Sequence, residues 1–388
     1  MATGRMNRQK RLIFIGNYGN RNIGDDAILH ILSARYLQAY PEYQQHVFVR
    51  HYAEDVARIS SARPLPISLR AVLWTLLRAN LIVVGGGGLF GAKMGPAARF
   101  IPLFALLCWL LGKTIVYESV GVYSNTPRLQ KGLLFLSMLT AKQVSVRDAT
   151  SWAVTRPLRR FKTIRRVDDP GFSIAPVEPI VAPDLLRQEG IQLPEDRAKV
   201  VGISIKRIIQ DRAETQRLMQ AVIESLQWLI DQGYVLLFLP FCHDPDKWSE
   251  QDVALAHEIM AQLRYTAGVY CVQRYYTPRE VAGMMSLTRL FIGMRYHAQV
   301  FAHALHVPLL PIAYEEKRTD FIKQYGYPVI PIAGLSGRTL ITHLVAMLDE
   351  PTDCASGTSG LPVVERIPME RNEPRDIDDV LARSMAAA

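Results

Sequence analysis

The chain has 388 residues, 49% of them hydrophobic and 21% charged, with a formal net charge of +9. That length exceeds one ordinary core and predicts two domains, and the composition excludes a disordered chain. The charge excess suits nucleic acid, an acidic membrane surface or a small anionic substrate, but no recognisable nucleic-acid-binding module accompanies it, so no nucleic-acid partner is expected.

The first ten residues are polar and basic and are expected to fray. Arg11–Ile15 reads as a short buried strand, followed by the loop Gly16-Asn17-Tyr18-Gly19-Asn20-Arg21-Asn22-Ile23-Gly24. Asp25 and Asp26 open a helix over Ala27–Tyr40, and Val47–Arg50 is a second strand. Leu69–Leu77 is helical by its spacing, Leu81–Val84 is a strand ending in Gly85-Gly86-Gly87-Gly88, and Ala97–Leu111 is a helix. The strand Thr114–Tyr117, the helix Arg128–Thr140 and the strand Gln143–Val146 complete this half. Buried strands alternating with amphipathic helices predict a parallel, doubly wound sheet.

From Asp169 to Asp196 the chain is rich in proline, a linker composition. The rhythm then restarts. Strands are expected at Val200–Ile205, Val235–Pro240, Val269–Val272, Leu290–Gly293 and Pro308–Ile312. Helices are expected at Thr215–Asp231, Asp252–Leu263, Arg279–Ser286, Tyr296–Leu305, Lys317–Tyr325 and Arg338–Leu348. The expected organisation is an N-terminal Rossmann-like domain at 1–175 on the acceptor side, a linker at 176–197 and a C-terminal Rossmann-like domain at 198–350 on the donor side. A tail at 351–388 follows, with Pro351–Gly360 as loop and Asp376–Met385 as a terminal helix. The α/β fold class is thus two doubly wound domains facing each other across a cleft.

Cys108, Cys242, Cys271 and Cys354 form no CxxC pair, and no signal peptide is evident. A reducing cytoplasm is the simplest compartment. The apolar run Phe100–Leu111 is shorter than the ~20 residues a spanning helix needs. Arg156, Arg159, Arg160, Lys162, Arg165 and Arg166 form a basic stretch that reads either as a solvated face or as a patch for anionic lipid at the inner face of the plasma membrane.

Chemistry-bearing residues gather at strand ends, where α/β sheets place ligand contacts. The strand at Leu290–Gly293 runs into Met294-Arg295-Tyr296-His297, and Lys317 stands after the next strand. Arg147 ends the strand at Gln143–Val146, and its planar fork matches a carboxylate or phosphate. An ion pair with Asp148 is the bland reading of Arg147, although Asp148 is better placed to cap the next helix. Together Arg147, Arg295, His297 and Lys317 suggest a site for a small, strongly anionic donor. Such a ligand would favour imidazolium at His297 and suit it to general acid work. The bland alternative for His297 is a hydrogen-bonded core residue.

The loop Gly16–Gly24 lacks the GxGxxG spacing and the Lys-Ser/Thr of a P-loop, which disfavours nicotinamide and ATP. Asn17, Tyr18 and Gly19, with Asp25 and Asp26, fit a neutral sugar; a tight turn with helix capping is the alternative. Gly86 and Gly87 within the glycine run let a ligand or another loop approach closely. His243, in Phe241-Cys242-His243-Asp244-Pro245-Asp246, sits in a loop read as an acceptor contact, with a metal site, a hydrogen-bonding loop or a capped helix start as the alternatives. His303 and His306 lack a third ligand at metal spacing, so no metal is expected.

These motifs, in order, resemble the polysaccharide pyruvyl transferase family. The carrying residues are Gly16–Asn20 with Gly24–Leu29, Gly85–Gly88, Ser145–Asp148, Asp169-Pro170, Gly202–Ser204, Leu239–Phe241, Arg295–Ala298 and Tyr314–Lys317. Leu89-Phe90-Gly91-Ala92-Lys93 departs from the polar or acidic residues that bacterial members often carry there, which bears on acceptor identity. The resemblance implies a GT-B-like fold and transfer of pyruvyl from phosphoenolpyruvate, as co-substrate and without a cofactor, onto two hydroxyls of a sugar, giving a cyclic ketal. The sugar would belong to a cell-surface or exopolysaccharide precursor and could be lipid-linked. The family's essential arginine, histidine and lysine match Arg147, His297 and Lys317. Two other readings share the features: a GT-B glycosyltransferase using a nucleotide sugar, and a non-enzymatic glycan- or lipid-surface-binding protein.

Overall fold

Runs of Val, Ile, Leu and Phe, buried on both faces as parallel strands require, build two sheets. The computed structural model describes residues 9–91, 96–207, 212–244, 247–313, 321–328, 330 and 335–349. The first sheet contains β1 (Lys10–Ile15), β2 (Tyr43–Val49), β3 (Arg63–Pro66), β4 (Leu81–Gly85), β5 (Thr114–Val120), β6 (Gln143–Val146) and β7 (Arg165–Arg166). All pairings are parallel, in the order β3-β2-β1-β4-β5-β6-β7.

Helices α1 (Ile23–Ala39) and α2 (Ala53–Ile59) cover one face of this sheet, packing Ile28, Leu32 and Val56 against Leu12, Val47 and Val83. Helices α3 (Leu69–Arg78), α4 (Pro96–Leu110), α5 (Arg128–Thr140) and α6 (Ala149–Val154) cover the other, packing Ala71, Cys108, Leu134 and Trp152 with Ile13, Ile82 and Ile115. The proline-rich stretch holds a 3-10 turn at Pro170–Ser173 and the helix α7 (Val181–Gln188). Ala182 and Leu186 of α7 join the core of the second unit.

The second sheet holds β8 (Val200–Ser204), β9 (Val235–Phe238), β10 (Val269–Cys271), β11 (Leu290–Gly293) and β12 (Leu309–Pro311), parallel in the order β10-β9-β8-β11-β12. Helices α8 (Arg212–Asp231), α9 (Asp252–Met260) and a last helix at Gly337–Asp349 share one core cluster; α10 (Pro278–Met285) and α11 (Tyr296–Ala304) share the other. Thr277 and Glu280 form a reciprocal capping box at the start of α10, with Pro278 at its first position. Strand order reverses between β1 and β4 and again between β8 and β11, and at such points a ligand crevice opens at the carboxyl ends of the strands.

Helix α1 joins the two units. It starts at Ile23 rather than Ala27 because Asn22, not the aspartates, supplies the cap, accepting from Gly24 N and Asp25 N. Ile23 N donates to Phe241 O at 2.9 Å and His243 N to Arg21 O at 3.0 Å, so the loop after β1 pairs with the loop after β9. Ile23 and Ala27 pack with Phe241, Ala298 and Phe301 of the second unit. Apolar on both sides, α1 is a helix buried between layers rather than a surface helix. Tyr275 reinforces the junction by donating its hydroxyl to Asp26 Oδ2 at 2.7 Å.

Candidate active site

The carboxyl ends of β6 and β11 meet on one aspartate. Arg147 follows β6 and is 7% exposed. Its Nη1 donates to Asp169 Oδ2 at 2.5 Å, and its guanidinium carbon lies 4.8 Å from the centre of the Tyr296 ring. Asp148 turns the other way to cap α6, accepting from Ser151 N at 2.6 Å, while its second oxygen stays 3.7 Å from Arg147 Nε. Asp169, fully buried, also caps the turn at Pro170–Ser173 through Gly171 N at 2.9 Å. His297, in the first turn of α11, places Nε2 3.6 Å from Asp169 Oδ1, within ion-pair reach but longer than a hydrogen bond.

Glycine at position 24 makes room for this. A Cβ there would lie 1.9 Å from His297 Nδ1, so the imidazole rests directly on the first turn of α1. Asp25, on that same turn, accepts from Asn17 Nδ2 at 2.6 Å, and one of its oxygens lies 2.7 Å from where a Cβ of Gly87 would sit. Arg147 and His297, both singled out in the sequence, therefore meet at Asp169, and His297 rests on the turn that carries Asp25, which is held by Asn17 and lies close to Gly87. Asp169 itself carries no distinguishing signal as a site residue beyond its place in the Asp169-Pro170 motif.

Charge in this cluster is balanced, not uniformly positive. Burial opposes ionisation of Asp169, yet the Arg147 guanidinium and then His297 hold its carboxyl well below the usual range. Burial pushes the Asp25 carboxyl up, against the pull of His297, Asn17 and Arg147. Arg147 Nε and His297 Nε2 are buried and have no hydrogen-bond partner among the described residues. Such orphaned donors are uncommon inside proteins and mark a place where a ligand can bind. Phe172, Phe321 and Tyr325 close a small pocket beside Arg147 and Tyr296.

Several expectations need correction. Arg295 does not face a donor: it is 7% exposed, with Nε on Asp252 Oδ2 at 3.0 Å, Nη2 on Asp252 Oδ1 and Nη1 on Glu250. Backbone N–H groups of Phe241 and Cys242 also converge on Asp252, so this is a fully coordinated buried pair. Tyr18 is a core residue, 2% exposed, whose hydroxyl donates to Gly85 O at 2.7 Å, not a sugar contact. Asp26, 2% exposed and bonded to Tyr275, latches the two units together.

Gly19 (φ +70°) packs toward Val49, which makes it a turn residue. Gly86 and Gly87 have positive φ, and a Cβ on Gly86 would lie 1.9 Å from Ile28 Cγ2. The glycine run is therefore needed for close approach to α1, an intramolecular neighbour. His243 is half-buried beside Tyr275; burial, then Arg21, lowers its imidazole to about 4, leaving it neutral. Lys317, with Tyr314, Glu315 and Glu316, lies outside the described residues, as do Pro351–Gly360 and the helix expected at Asp376–Met385. Among the described residues no three His, Cys, Asp or Glu side chains are grouped to hold a metal, and no helix is long and apolar enough to cross a membrane.

Residues 22–316 match the sequence model of a family described as polysaccharide pyruvyl transferase. No curated protein sequence matches the chain. Among solved structures, the chain is similar to the UDP-GlcNAc 2-epimerase from Methanocaldococcus jannaschii, at a TM-score of 0.57 and 10% identity over 97% of this chain and 99% of that one. It is also similar to the UDP-N-acetylglucosamine 2-epimerase from Rickettsia bellii, at 0.56 and 10% identity over 98% and 96%. The ADP-heptose lps heptosyltransferase II of E. coli gives 0.52 and 14% identity over 87% and 98%. At these identities the likeness is one of fold, and the fold is GT-B.

Proposed function

The chain belongs to the polysaccharide pyruvyl transferase family, and we propose that it transfers pyruvyl from phosphoenolpyruvate to two hydroxyls of a sugar in a cell-surface or exopolysaccharide precursor. The observation that carries this reading is the convergence of Arg147 and His297 on Asp169. Phosphoenolpyruvate presents a carboxylate and a phosphate on one small frame. Arg147, with Nε free of hydrogen-bond partners among the described residues, supplies one donor for these anions. Lys317 is proposed as the second cation on the strength of its sequence position alone.

The chemistry follows from the neighbours of His297. The first sugar hydroxyl adds to C2 of phosphoenolpyruvate as His297 protonates the methylene carbon, and the hydroxyl proton passes to Asp25. Burial and an elevated carboxyl pKa suit Asp25 to accept it. The C–O bond to phosphate then breaks. The second hydroxyl closes the ketal while its proton leaves with phosphate, and proton transfer from Asp25 to His297 resets the pair. No cofactor takes part in these steps. Asp169 touches no reacting atom and acts as a positioning residue for Arg147 and His297.

The test is incubation of the full chain with phosphoenolpyruvate and a panel of lipid-linked sugar acceptors, read as acceptor-dependent phosphate release and a product mass gain of one pyruvyl ketal. Consumption of a nucleotide sugar in place of phosphoenolpyruvate would reject the reading in favour of glycosyl transfer.

A further inference from the structure

Helices α3, α4 and α5 are apolar on both sides. Their inner faces fill the core beneath the first sheet through Ala71, Cys108 and Leu134. Their outer faces carry leucines at helical spacing. On α3, Leu69, Leu73 and Leu77 follow one another at every fourth position, and the outer two are 74% exposed. On α4, Phe100, Leu103, Leu107 and Leu110 form a second exposed stripe, and on α5 Leu129 and Leu136 add a third. Helices α4 and α5 pack against each other, and Trp74 of α3 and Phe104 of α4 both pack on β2, against His46 and Phe48, so the three stripes lie on one face of the sheet. Elsewhere the exposed large apolar side chains, such as Leu37, Ile180 and Trp248, are scattered. Scattered apolar residues are ordinary on a soluble protein, whereas a contiguous patch marks an interaction surface.

Charge identifies the partner. From Val56 to Val167 the only acidic residues are Glu118 and Asp148, and both are buried. Arg70 and Arg78 flank the α3 stripe, Arg99 stands in the first turn of α4, and Arg128 opens α5; all four are exposed. The basic stretch Arg156–Arg166 continues the same layer, since Leu158 and Ile164 belong to the core beneath these helices. An apolar surface rimmed by cations and lacking carboxylates complements an anionic bilayer, whose acyl boundary takes the leucines and whose headgroups take the arginines. A second copy of the chain would bring two such cationic rims together. The tail at 351–388 offers few large apolar residues against three stripes.

We propose that the outer face of α3, α4 and α5 docks this protein on an anionic phospholipid bilayer. The proposal does not depend on the pyruvyl transfer reading.

Co-sedimentation of the full chain with vesicles of equal parts phosphatidylglycerol and phosphatidylcholine tests it. Binding is expected, with little to phosphatidylcholine alone and several-fold less at high salt. The combined Leu73→Ser, Leu77→Ser and Leu110→Ser variant should bind at least about tenfold more weakly, with unchanged circular dichroism because each site is exposed. Arg78→Glu and Arg128→Glu should each cost about fivefold. Leu37→Ser with Ile180→Ser, away from the face, should bind as the parent chain does. A full chain that stays in solution with the anionic vesicles overturns the proposal, whether a second copy or residues 351–388 cover the face. Undiminished binding by the triple leucine variant overturns it equally.

Discussion

Arg147 and His297 come from the ends of strands in different sheets, β6 and β11, and address the two oxygens of one buried carboxylate, Asp169, at 2.5 and 3.6 Å. Neither side chain is positioned by its own sheet alone. His297 rests on Gly24 of α1, and α1 is pinned to the second unit by the pairing of Ile23 with Phe241 and by the Tyr275–Asp26 hydrogen bond. The geometry of the proposed site therefore depends on the docking of one unit against the other.

Replacing Asp169 should cost both stability and activity. Asp169→Asn removes the nearest counter-charge of the buried Arg147 guanidinium, leaving Asp148 at 3.7 Å from Nε as its closest carboxylate among the described residues. Removing one member of a buried ion pair typically costs about 3–5 kcal/mol, which urea denaturation at neutral pH would register. The parent chain should show the linked acid sensitivity. With its folded carboxyl held below the ordinary range by Arg147 and His297 despite burial, the stability Asp169 contributes is complete above the unfolded value and lost as pH falls through the folded one. A variant as stable as the parent would show that Asp169 does not hold Arg147.

The acid role of His297 is separable from the fold. His297→Ala should lower turnover with phosphoenolpyruvate by about 10²–10⁴. Its side chain is 12% exposed but makes no hydrogen bond through Nε2, so the fold should survive at a modestly lower melting temperature. Phosphate release and circular dichroism on one preparation decide this; near-parental turnover removes His297 from the mechanism.

Gly24→Ala tests the same site without touching a charged group. The new methyl would fall 1.9 Å from His297 Nδ1 and 2.7 Å from its Cβ, so the whole side chain must move. A displacement of this size is expected to reduce kcat by about 10². Helix α1 itself gains from alanine in place of glycine. Overpacking costs about 1–3 kcal/mol against at most about 1 kcal/mol gained in the helix, so lost turnover in a chain that still folds but melts somewhat lower is the expected pair of results, and unchanged kcat would mean that the ring has room to swing aside.

Long, regular elements were readable from the sequence. The bounds of α5, β6 and β11 follow directly from apolar periodicity. Helices α2, α6 and α7 are too short for that signal, and α7 was further hidden by Pro183. A proline in the first turn does no harm there, because those N–H groups have no intrahelical acceptor. Strand-end positions place Arg147 and His297 on one cleft, since topology alone delivers both there. What stayed hidden was which charges neutralise which. Arg295 and Arg147 look alike in sequence, and only tertiary packing gives the first to Asp252 and Glu250 and the second to Asp169. Tyr18 looked like a ligand contact because an aromatic in a glycine loop does not announce that Gly85 O will accept its hydroxyl.

The Asp26–Tyr275 latch should contribute less to the stability of the protein as pH rises toward neutrality. Burial raises the Asp26 carboxyl from 3.8 to about 7, opposed by the Tyr275 hydrogen bond and the Gly19 N–H and reinforced by Asp25 and Asp55. Between those values the folded chain holds a proton that the unfolded chain releases, so stability declines through this window and levels off above it. For Asp26 alone the decline is on the order of 4 kcal/mol. Glu118, which burial raises to about 7 against the pull of Arg35, should add a parallel decline. Asp26→Asn mimics the protonated form and keeps an acceptor for Tyr275. It should be more stable than the parent at pH 8 and about equal at pH 4.5, without the decline that Asp26 imposes in between. Urea midpoints across that range measure this. A gap between the parent and Asp26→Asn that does not widen from pH 4.5 to pH 8 would mean that Asp26 is ionised in the folded state and that the latch is an ordinary charged hydrogen bond.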